Sequence, residues 1–368
     1  MIESTNFPLS TFCLQEYGGW EGVSRIVSDL HLDGLEFIAD PDDLPESVPH
    51  SLVAGYHLRF DPDWVDFYRQ NKAELIRKFG SLEFAEEFYR CKTPEDLIRA
   101  YRDDLQLAIR LGAPYTVFHV SDVSLEEGYT YKWLHTDYEV LDAAIEFINL
   151  LLEGVEPTFD FLVENQWWPG FKFTEPEKTE YLLSRINYPR VGIMLDTGHL
   201  MNTDWHIRSQ WDGIKYILKM VEEHGELSER IYGLHFHRSI SGAYCRKTVG
   251  KLPEDFPLNY YDEFTRNYAH ILQIDQHRHW TTEECVMILG RVQPRYLTHE
   301  ISGSVYQGKI NAIRYQKRKI NWGYHCGFDK MTVSEMEEYR EEERKEPELT
   351  GNFIFDHIIR GIPIKNKG

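Results

Sequence analysis

The chain of 368 residues carries 40 Lys and Arg against 60 Asp and Glu, which gives it a formal net charge of −20. This surplus disfavours nucleic acid and anionic membranes as partners, because proteins that bind polyanions gain affinity by neutralising phosphates with basic side chains. With 42% hydrophobic and 14% aromatic residues, the composition is that of a globular protein with a large core, which excludes disorder for most of the chain.

The sequence shows no targeting segment and no pattern of paired cysteines. No apolar run approaches the roughly 18 residues of a transmembrane helix, and the first residues lack a signal-peptide pattern. We therefore expect a cytoplasmic protein. The five cysteines are widely spaced and include no CxxC pair, so we expect reduced thiols rather than disulfides or a thiolate zinc site. The sequence leaves a homo-oligomer open.

Eight short apolar runs rich in β-branched and aromatic residues alternate with helical segments. Such runs are typical of parallel strands buried on both faces. Two amphipathic segments, 94–112 and 140–154, are predicted helices that each end at a C-capping glycine. This order predicts a (β/α)8 TIM barrel. The predicted strands are 8–14, 33–39, 53–60, 115–121, 159–165, 191–197, 231–237 and 295–302.

Two connections are longer than this plan requires. Residues 61–93 follow the third strand and are predicted to form an extra helical hairpin, and residues 238–270 follow the seventh strand. Both follow the carboxyl end of a strand, where TIM barrels build their active sites, so we expect them to cover or shape the pocket. We assign 1–325 to the barrel and 326–368 to a C-terminal helical extension packed on it.

Most predicted strands end in a side chain that can bind a metal ion. Charged and imidazole groups at the mouth of an apolar barrel are costly to bury unless they are paired or coordinated. One such histidine has a simple explanation as a core or surface residue, but their convergence indicates a metal site. The residues are His57, His119, Glu164, Asp196 with His199, His235 with His237, and Glu300.

Three of these strand ends carry a further signal. In LDTGH, Asp196 and His199 can aim at one ion, or at an ion and its substrate. After Glu164, Trp167 is a candidate for stacking on a substrate, with simple packing as the alternative. In LHFH, only one of the two histidines need be a ligand. Glu36 also ends a strand, and we expect it to pair with a buried arginine rather than support a metal ligand.

The ordered set of Glu164 in LVEN, Asp196 and His199 in LDTGH, His235 in LHFH and Glu300 in LTHE resembles the xylose isomerase-like barrel superfamily. The resemblance covers roughly residues 5–305, apart from the two insertions. Its sugar epimerase branch implies one divalent ion (manganese, zinc or cobalt) held by Glu164, Asp196, His235 and Glu300. In that branch Glu164 and Glu300 also transfer the proton and His199 contacts the substrate. The substrate arginine of the branch matches Arg238 or Arg246, and we take Arg238.

The superfamily also contains the endonuclease IV branch, which builds a cluster of three zinc ions. Its additional ligands match His57, His119, His199, Asp275 and His277, so the resemblance allows up to three ions. The turn that follows Asp-x-His in both branches is replaced here by RHWTTEE.

The leading hypothesis is a metal-dependent isomerase or epimerase that moves a proton on a sugar-like substrate through an enediolate. The alternative is a multinuclear zinc phosphodiesterase similar to endonuclease IV. A further alternative is a barrel that binds a small molecule without catalysis. Because the net charge disfavours nucleic acid, we expect a small substrate. Dinucleotide, P-loop and GxSxG motifs are absent.

Overall fold

Eight parallel strands form a closed barrel in chain order in the computed structural model, which confirms the predicted TIM barrel. The structure describes residues 1–254, 256, 260–302 and 306–345. The strands are β1 (Ile2–Leu9), β2 (Gly34–Ala39), β3 (Val53–His57), β4 (Tyr115–His119), β5 (Asp160–Glu164), β6 (Val191–Asp196), β7 (Ile231–His235) and β8 (Tyr296–His299).

Helices surround the barrel and build its carboxyl-terminal face. In the described part of the chain they are α1 (Thr11–Glu16), α2 (Gly19–Asp29), α3 (Val65–Tyr68), α4 (Lys72–Phe79), α5 (Leu82–Tyr89), α6 (Pro94–Leu111), α7 (Leu125–Thr130), α8 (Asp137–Leu151), α9 (Pro176–Leu183), α10 (Thr197–Asn202), α11 (Gln210–Glu223), α12 (Gly242–Thr248), α13 (Tyr260–Ile274), α14 (Val286–Val292), α15 (Tyr306–Cys326) and α16 (Val333–Lys345).

The first strand lies earlier than predicted. The expected strand 8–14 is wrong, because β1 runs over Ile2–Leu9 and the chain then turns into α1. Ser10 has an extended backbone and its hydroxyl accepts a hydrogen bond from the Cys13 amide, which is the arrangement of a helix N-cap. Of the apolar residues that suggested a strand, Phe12 to Leu14 therefore belong to α1, and Pro8 and Leu9 end β1.

The two helices predicted between the strands form, with both boundaries of the second one corrected. Helix α6 begins with a capping box between Thr93 and Asp96 and ends at Gly112, whose φ of 73° allows the left-handed C-cap. Helix α8 begins at Asp137 rather than at 140 and ends at Leu151. Its C-cap is Leu152 and not the predicted glycine, which follows two residues later.

Both long connections are largely helical. Residues 61–93 form the three short helices α3 to α5, one more than the predicted hairpin, and α4 packs against α5. Residues 238–270 contain α12 and most of α13, although 255 and 257–259 lie outside the described residues.

The C-terminal helices contact the barrel as far as the structure describes them. Met336 of α16 is fully buried, Lys215 lies 3.0 Å from Glu337, and Arg340 pairs with Glu284. Residues 346–368 of the predicted extension lie outside the described residues. None of the described helices is both long and apolar enough to span a membrane.

Aromatic and aliphatic side chains fill the barrel interior below its carboxyl end. Tyr115 packs there in a cluster with Val117, Leu162, Met194 and Tyr296. The neighbouring strand carries Gly55, where a Cβ atom would lie only 2.1 Å from the Tyr115 ring. Glycine at this position gives Tyr115 room to donate its hydroxyl proton to Glu36 at 2.7 Å. The packed cluster around Tyr115 thus supports polar groups, such as Glu36, at the mouth of the barrel.

Candidate metal centre

Metal-ligating side chains converge at the carboxyl end of the barrel in four overlapping groups, and the ligand atoms of each group lie within 4.8 Å of one another. All nine predicted principal and additional ligands fall into these groups. The four groups are the central group (Glu164, Asp196, His235, Glu300), the His57 group (His57, His119, Glu164), the His199 group (His199, Asp275, His277) and the His237 group (His237, His277, Glu300).

The strand register brings these side chains to one level. His119 pairs with Glu164 across β4 and β5, and Asp196 pairs with His235 across β6 and β7. Each of these residues ends its strand. Because the strands are parallel, their last residues meet at one face of the barrel, as the sequence predicts.

In the His57 group, three ligand atoms face one another. The Nε2 atom of His57 lies 3.0 Å from Nε2 of His119 and 3.2 Å from Oε2 of Glu164. The Nδ1 atom of His57 lies 2.7 Å from the Leu58 carbonyl oxygen, to which it donates its proton. Its Nε2 lone pair therefore points at another nitrogen and at a carboxylate.

In the central group, His235 shows the same arrangement. Its Nε2 atom donates to Glu36 at 3.1 Å, so the lone pair is on Nδ1. That Nδ1 lies 3.0 Å from Oε2 of Glu300 and 3.4 Å from Oε1 of Glu164. Among the described residues, none of these three buried atoms has a hydrogen-bond partner.

The His199 group is formed by α10 and the segment after α13. The Nε2 atom of His199 lies 3.3 Å from Oδ2 of Asp275, and the same oxygen contacts Nε2 of His277. His277 directs its Nδ1 to the Glu300 carbonyl oxygen at 3.1 Å. His199 also reaches the central group, since its Nδ1 lies 3.1 Å from Oε1 of Glu164.

His237 is a member of the centre that the sequence did not separate from His235. Its Nε2 donates to Oδ2 of Asp196 at 2.8 Å, and its ring stacks on His277 with centroids 4.1 Å apart. Gly198 of the DTGH motif makes this possible, because a Cβ there would lie 2.1 Å from the His237 ring. The glycine of the motif thus leaves room for the His237 imidazole, which donates a hydrogen bond to Asp196.

These contacts fit divalent ions. A lone pair facing a carboxylate oxygen is repulsive unless a proton or a cation lies between them, and His57, His235 and His277 all present such contacts. Two ligands bound to one ion at about 2.1 Å and at a tetrahedral angle lie about 3.4 Å apart, close to the separations observed here. Imidazole and carboxylate donors without thiolates suit zinc, manganese or cobalt.

Protonation of the centre follows from the same contacts. Burial alone would lower the pKa of His235, but Glu36 and Glu300 raise it well above its usual range. Burial would raise the pKa of Glu164, whereas His119 and His235 hold it well below its usual range. For His277, the carboxylates outweigh burial and raise the pKa to about 9. An ion that bound to His235 and His277 would therefore displace protons from them.

One side of the barrel mouth is closed by an indole cluster of Val123, Trp167, Trp168, Cys245 and Ile274. The Trp167 ring lies 5.1 Å from that of His199, so the predicted stacking residue is beside the centre, but it is itself only 5% exposed. Among the metal-ligating residues, the side chains of His119, His277 and Glu300 are 17%, 15% and 12% exposed. Solvent therefore reaches the centre at these three side chains.

The predicted substrate arginine is not a member of these groups, although it directly follows His237. The Nε atom of Arg238 donates to the His279 carbonyl oxygen at 2.9 Å, and its backbone pairs with that of Arg278. The alternative, Arg246, is exposed and donates to the Trp205 carbonyl oxygen.

Glu36 contacts a histidine where an arginine was expected. The carboxylate is fully buried and its Oε2 accepts hydrogen bonds from Tyr115 and Thr298 in addition to His235. The expected arginine pair is wrong, because the register brings β2 and β7 side chains together across the barrel interior. A carboxylate that fixes the ring of a metal-binding histidine increases its basicity.

We expect Glu36→Gln to weaken zinc binding about 10- to 100-fold, the range found when such supporting carboxylates are lost. Competition with a chromogenic chelator measures this change. Glu3→Gln is the matched control, because Glu3 accepts from His299 at 2.7 Å outside the four groups. Equal zinc affinity in the Glu36 variant and the wild type would show that Glu36 does not support His235.

Comparison with known proteins places the chain among TIM barrels. A model of the xylose isomerase-like TIM barrel family matches residues 26–274, more than half of the chain. A search of curated proteins found no match.

Several solved structures have a similar fold at low identity. Endonuclease IV from Thermus thermophilus is 15% identical, with 87% of this chain and 99% of that chain covered and a TM-score of 0.49. D-allulose 3-epimerase from Methylomonas sp., in complex with D-allulose, is 12% identical, with 88% and 97% covered and a TM-score of 0.48. D-psicose 3-epimerase from Clostridium cellulolyticum, with D-tagatose, is 10% identical, with 88% and 99% covered and a TM-score of 0.46. These similarities concern the fold and not the activity.

Proposed function

Because the chain belongs to the xylose isomerase-like TIM barrel family, we propose that it is an enzyme that hydrolyses a phosphoester with two or three divalent metal ions. One observation carries the proposal: Glu164 divides its two oxygens between two groups. Its Oε2 faces the imidazoles of His57 and His119, and its Oε1 faces His235. A carboxylate placed in this way can bridge two ions.

The charge of the centre favours an anionic substrate. Four carboxylates (Glu164, Asp196, Asp275 and Glu300) belong to the groups. Two divalent ions would neutralise them, and a third would make the centre positive. The rest of the surface stays acidic and repels a long polyanion. A small phosphoester therefore fits the centre better than DNA does.

The protein side chains would hold and orient the reacting groups. Bound ions supply a Lewis acid for the phosphoryl oxygen and lower the pKa of water. Burial lowers the pKa of His119 and so favours its neutral, ligating form. Trp167 and the rest of the indole cluster exclude water from one side of the centre. A substrate would then reach the centre at the exposed parts of His119, His277 and Glu300.

Metal content and turnover test the proposal together. Metal-free protein is loaded with Zn²⁺, Mn²⁺ or Co²⁺, the ions per chain are counted by mass spectrometry, and hydrolysis of p-nitrophenyl phosphate and bis-p-nitrophenyl phosphate is measured. We expect two or three ions per chain and turnover of at least one ester. A single ion together with no hydrolysis of either ester would overturn the proposal.

A sugar isomerase or epimerase is the second candidate, because the central group alone offers four ligands for one ion. Glu164 and Glu300 would then transfer the proton and His199 would contact the substrate. Incubation with a panel of ketoses in D₂O tests this function. Deuterium beside the carbonyl of any ketose supports it, and the absence of label from all of them contradicts it.

A further inference from the structure

Lys309 presents an ammonium group at the rim of the barrel, outside the four groups. The residue lies in the first turn of α15 and is half-buried. Its Nζ donates to the main-chain oxygen and to Oδ1 of Asn6, both at 2.6 Å. These bonds use two of its three protons. In the part of the chain that the structure describes, no carboxylate forms an ion pair with it.

The register places this ammonium near the central group. Asn6 of β1 pairs with Glu36 of β2, and its neighbour Thr5 pairs with His299 of β8. Asn6 is therefore level with Glu36 on one side and with Glu300 on the other. Burial lowers the pKa of Lys309 to about 8, although the charges of Glu300 and Glu36 act in the opposite direction. The Lys309 ammonium thus interacts electrostatically with Glu36 and with Glu300 of the central group.

Lys309 follows the same strand as Glu300, a ligand whose side chain is partly exposed. The indole cluster is built from the segments after β4, β5 and β7, so none of its members comes from the segment after β8 that carries Lys309. Glu300, which follows β8, keeps 12% of its side chain exposed. A substrate that reaches the exposed part of Glu300 could therefore also approach the first turn of α15.

We propose that Lys309 binds an anionic oxygen of the substrate, on the phosphoryl group or beside it. This inference rests on the proposed phosphoesterase function for the substrate class. A half-buried cation without a carboxylate partner is stabilised by an anion that reaches it. A lysine that only anchors α15 to β1 would have the same two bonds to Asn6, so the test must measure anion binding.

Inorganic phosphate is the probe, and its binding to the zinc-loaded protein is measured by calorimetry. Lys309→Met should weaken phosphate binding about 10- to 100-fold, as expected for the loss of a hydrogen bond to a charged group. Lys309→Arg should restore most of the binding. Arg314→Met, which removes an exposed charge from the same helix, should bind like the wild type. Zinc content and melting temperature should stay unchanged in all three variants.

Two results would overturn the inference: wild-type affinity for phosphate in Lys309→Met, or no phosphate binding by the wild type. Loss of zinc together with loss of phosphate in Lys309→Met would also overturn it, because Lys309 would then support the fold. The assay needs no turnover. Weakened phosphate binding in a protein without phosphoesterase activity would therefore leave the anion site standing while the proposed function fails.

Discussion

A Glu164→Gln variant is expected to lose metal from both the central group and the His57 group. Its side chain is 1% exposed and contacts imidazoles of both groups. An amide oxygen is a much weaker ligand than a carboxylate, and the amide nitrogen is no ligand. Loss of a supporting side chain alone costs about 10- to 100-fold in metal affinity or activity, so if Glu164 bridges two ions as proposed, its loss should cost at least about 100-fold in turnover.

Mass spectrometry of zinc-loaded protein and the rate of phosphoester hydrolysis measure these effects. Glu156→Gln is the control, because Glu156 is an exposed residue before β5 and its loss should change neither quantity. We expect the variant to keep an ion in the His199 group. Wild-type metal content in Glu164→Gln would contradict a bridging role for this carboxylate.

Lys78→Met is expected to destabilise the protein by about 3–5 kcal/mol, the cost of breaking a buried ion pair. Lys78 of α4 lies 2.6 Å from Asp63 and 2.7 Å from Asp66, and all three side chains are at most 3% exposed. Asp122 belongs to the same cluster and binds the backbone amides of Trp64 and Val65. Without the ammonium, these carboxylates remain buried and repel one another.

The loss of stability in Lys78→Met should depend on pH. Burial and the charge of Asp63 raise the pKa of Asp122 to about 7, and Lys78 opposes them. An aspartate with a raised pKa binds a proton in the folded state before it does so in the unfolded chain, so its burial costs more as pH rises. Removal of Lys78 raises this pKa further. The variant should therefore be more destabilised at pH 8 than at pH 5.

Urea denaturation at both pH values measures the free energy of unfolding. Lys72→Met is the control, since Lys72 is exposed at the start of the same helix. A loss below about 1 kcal/mol, the value of an exposed pair, would show that the cluster is screened by water.

The sequence predicts the barrel and most of the centre because both depend on one local pattern. An apolar run that ends in His, Asp or Glu predicts a strand and the position of its last residue. This pattern found His119, Glu164 and Asp196 at their strand ends. It failed for β1, because this strand contains polar residues such as Ser4 and Asn6 and so is not a continuous apolar run. Ser4 faces Thr298 inside the barrel.

Contacts across the barrel could not be predicted from local sequence. The pair between Glu36 and His235 depends on the register of strands far apart in the chain. The Lys78 cluster joins a helix of the first insertion to the segment after β4, and no spacing rule links its acidic residues. The role of His237 depends on the space that Gly198 leaves.

The position of Glu300 after the last strand has a consequence for folding. The central group is complete only when β8 has paired with β1 and closed the barrel. Its ligands come from residues 164 to 300, so an ion bound there joins segments that are distant in the unfolded chain. Metal that binds only the closed form adds its binding free energy to the stability of that form. A bound ion would therefore stabilise the closed barrel, and metal uptake would indicate that β8 has paired with β1.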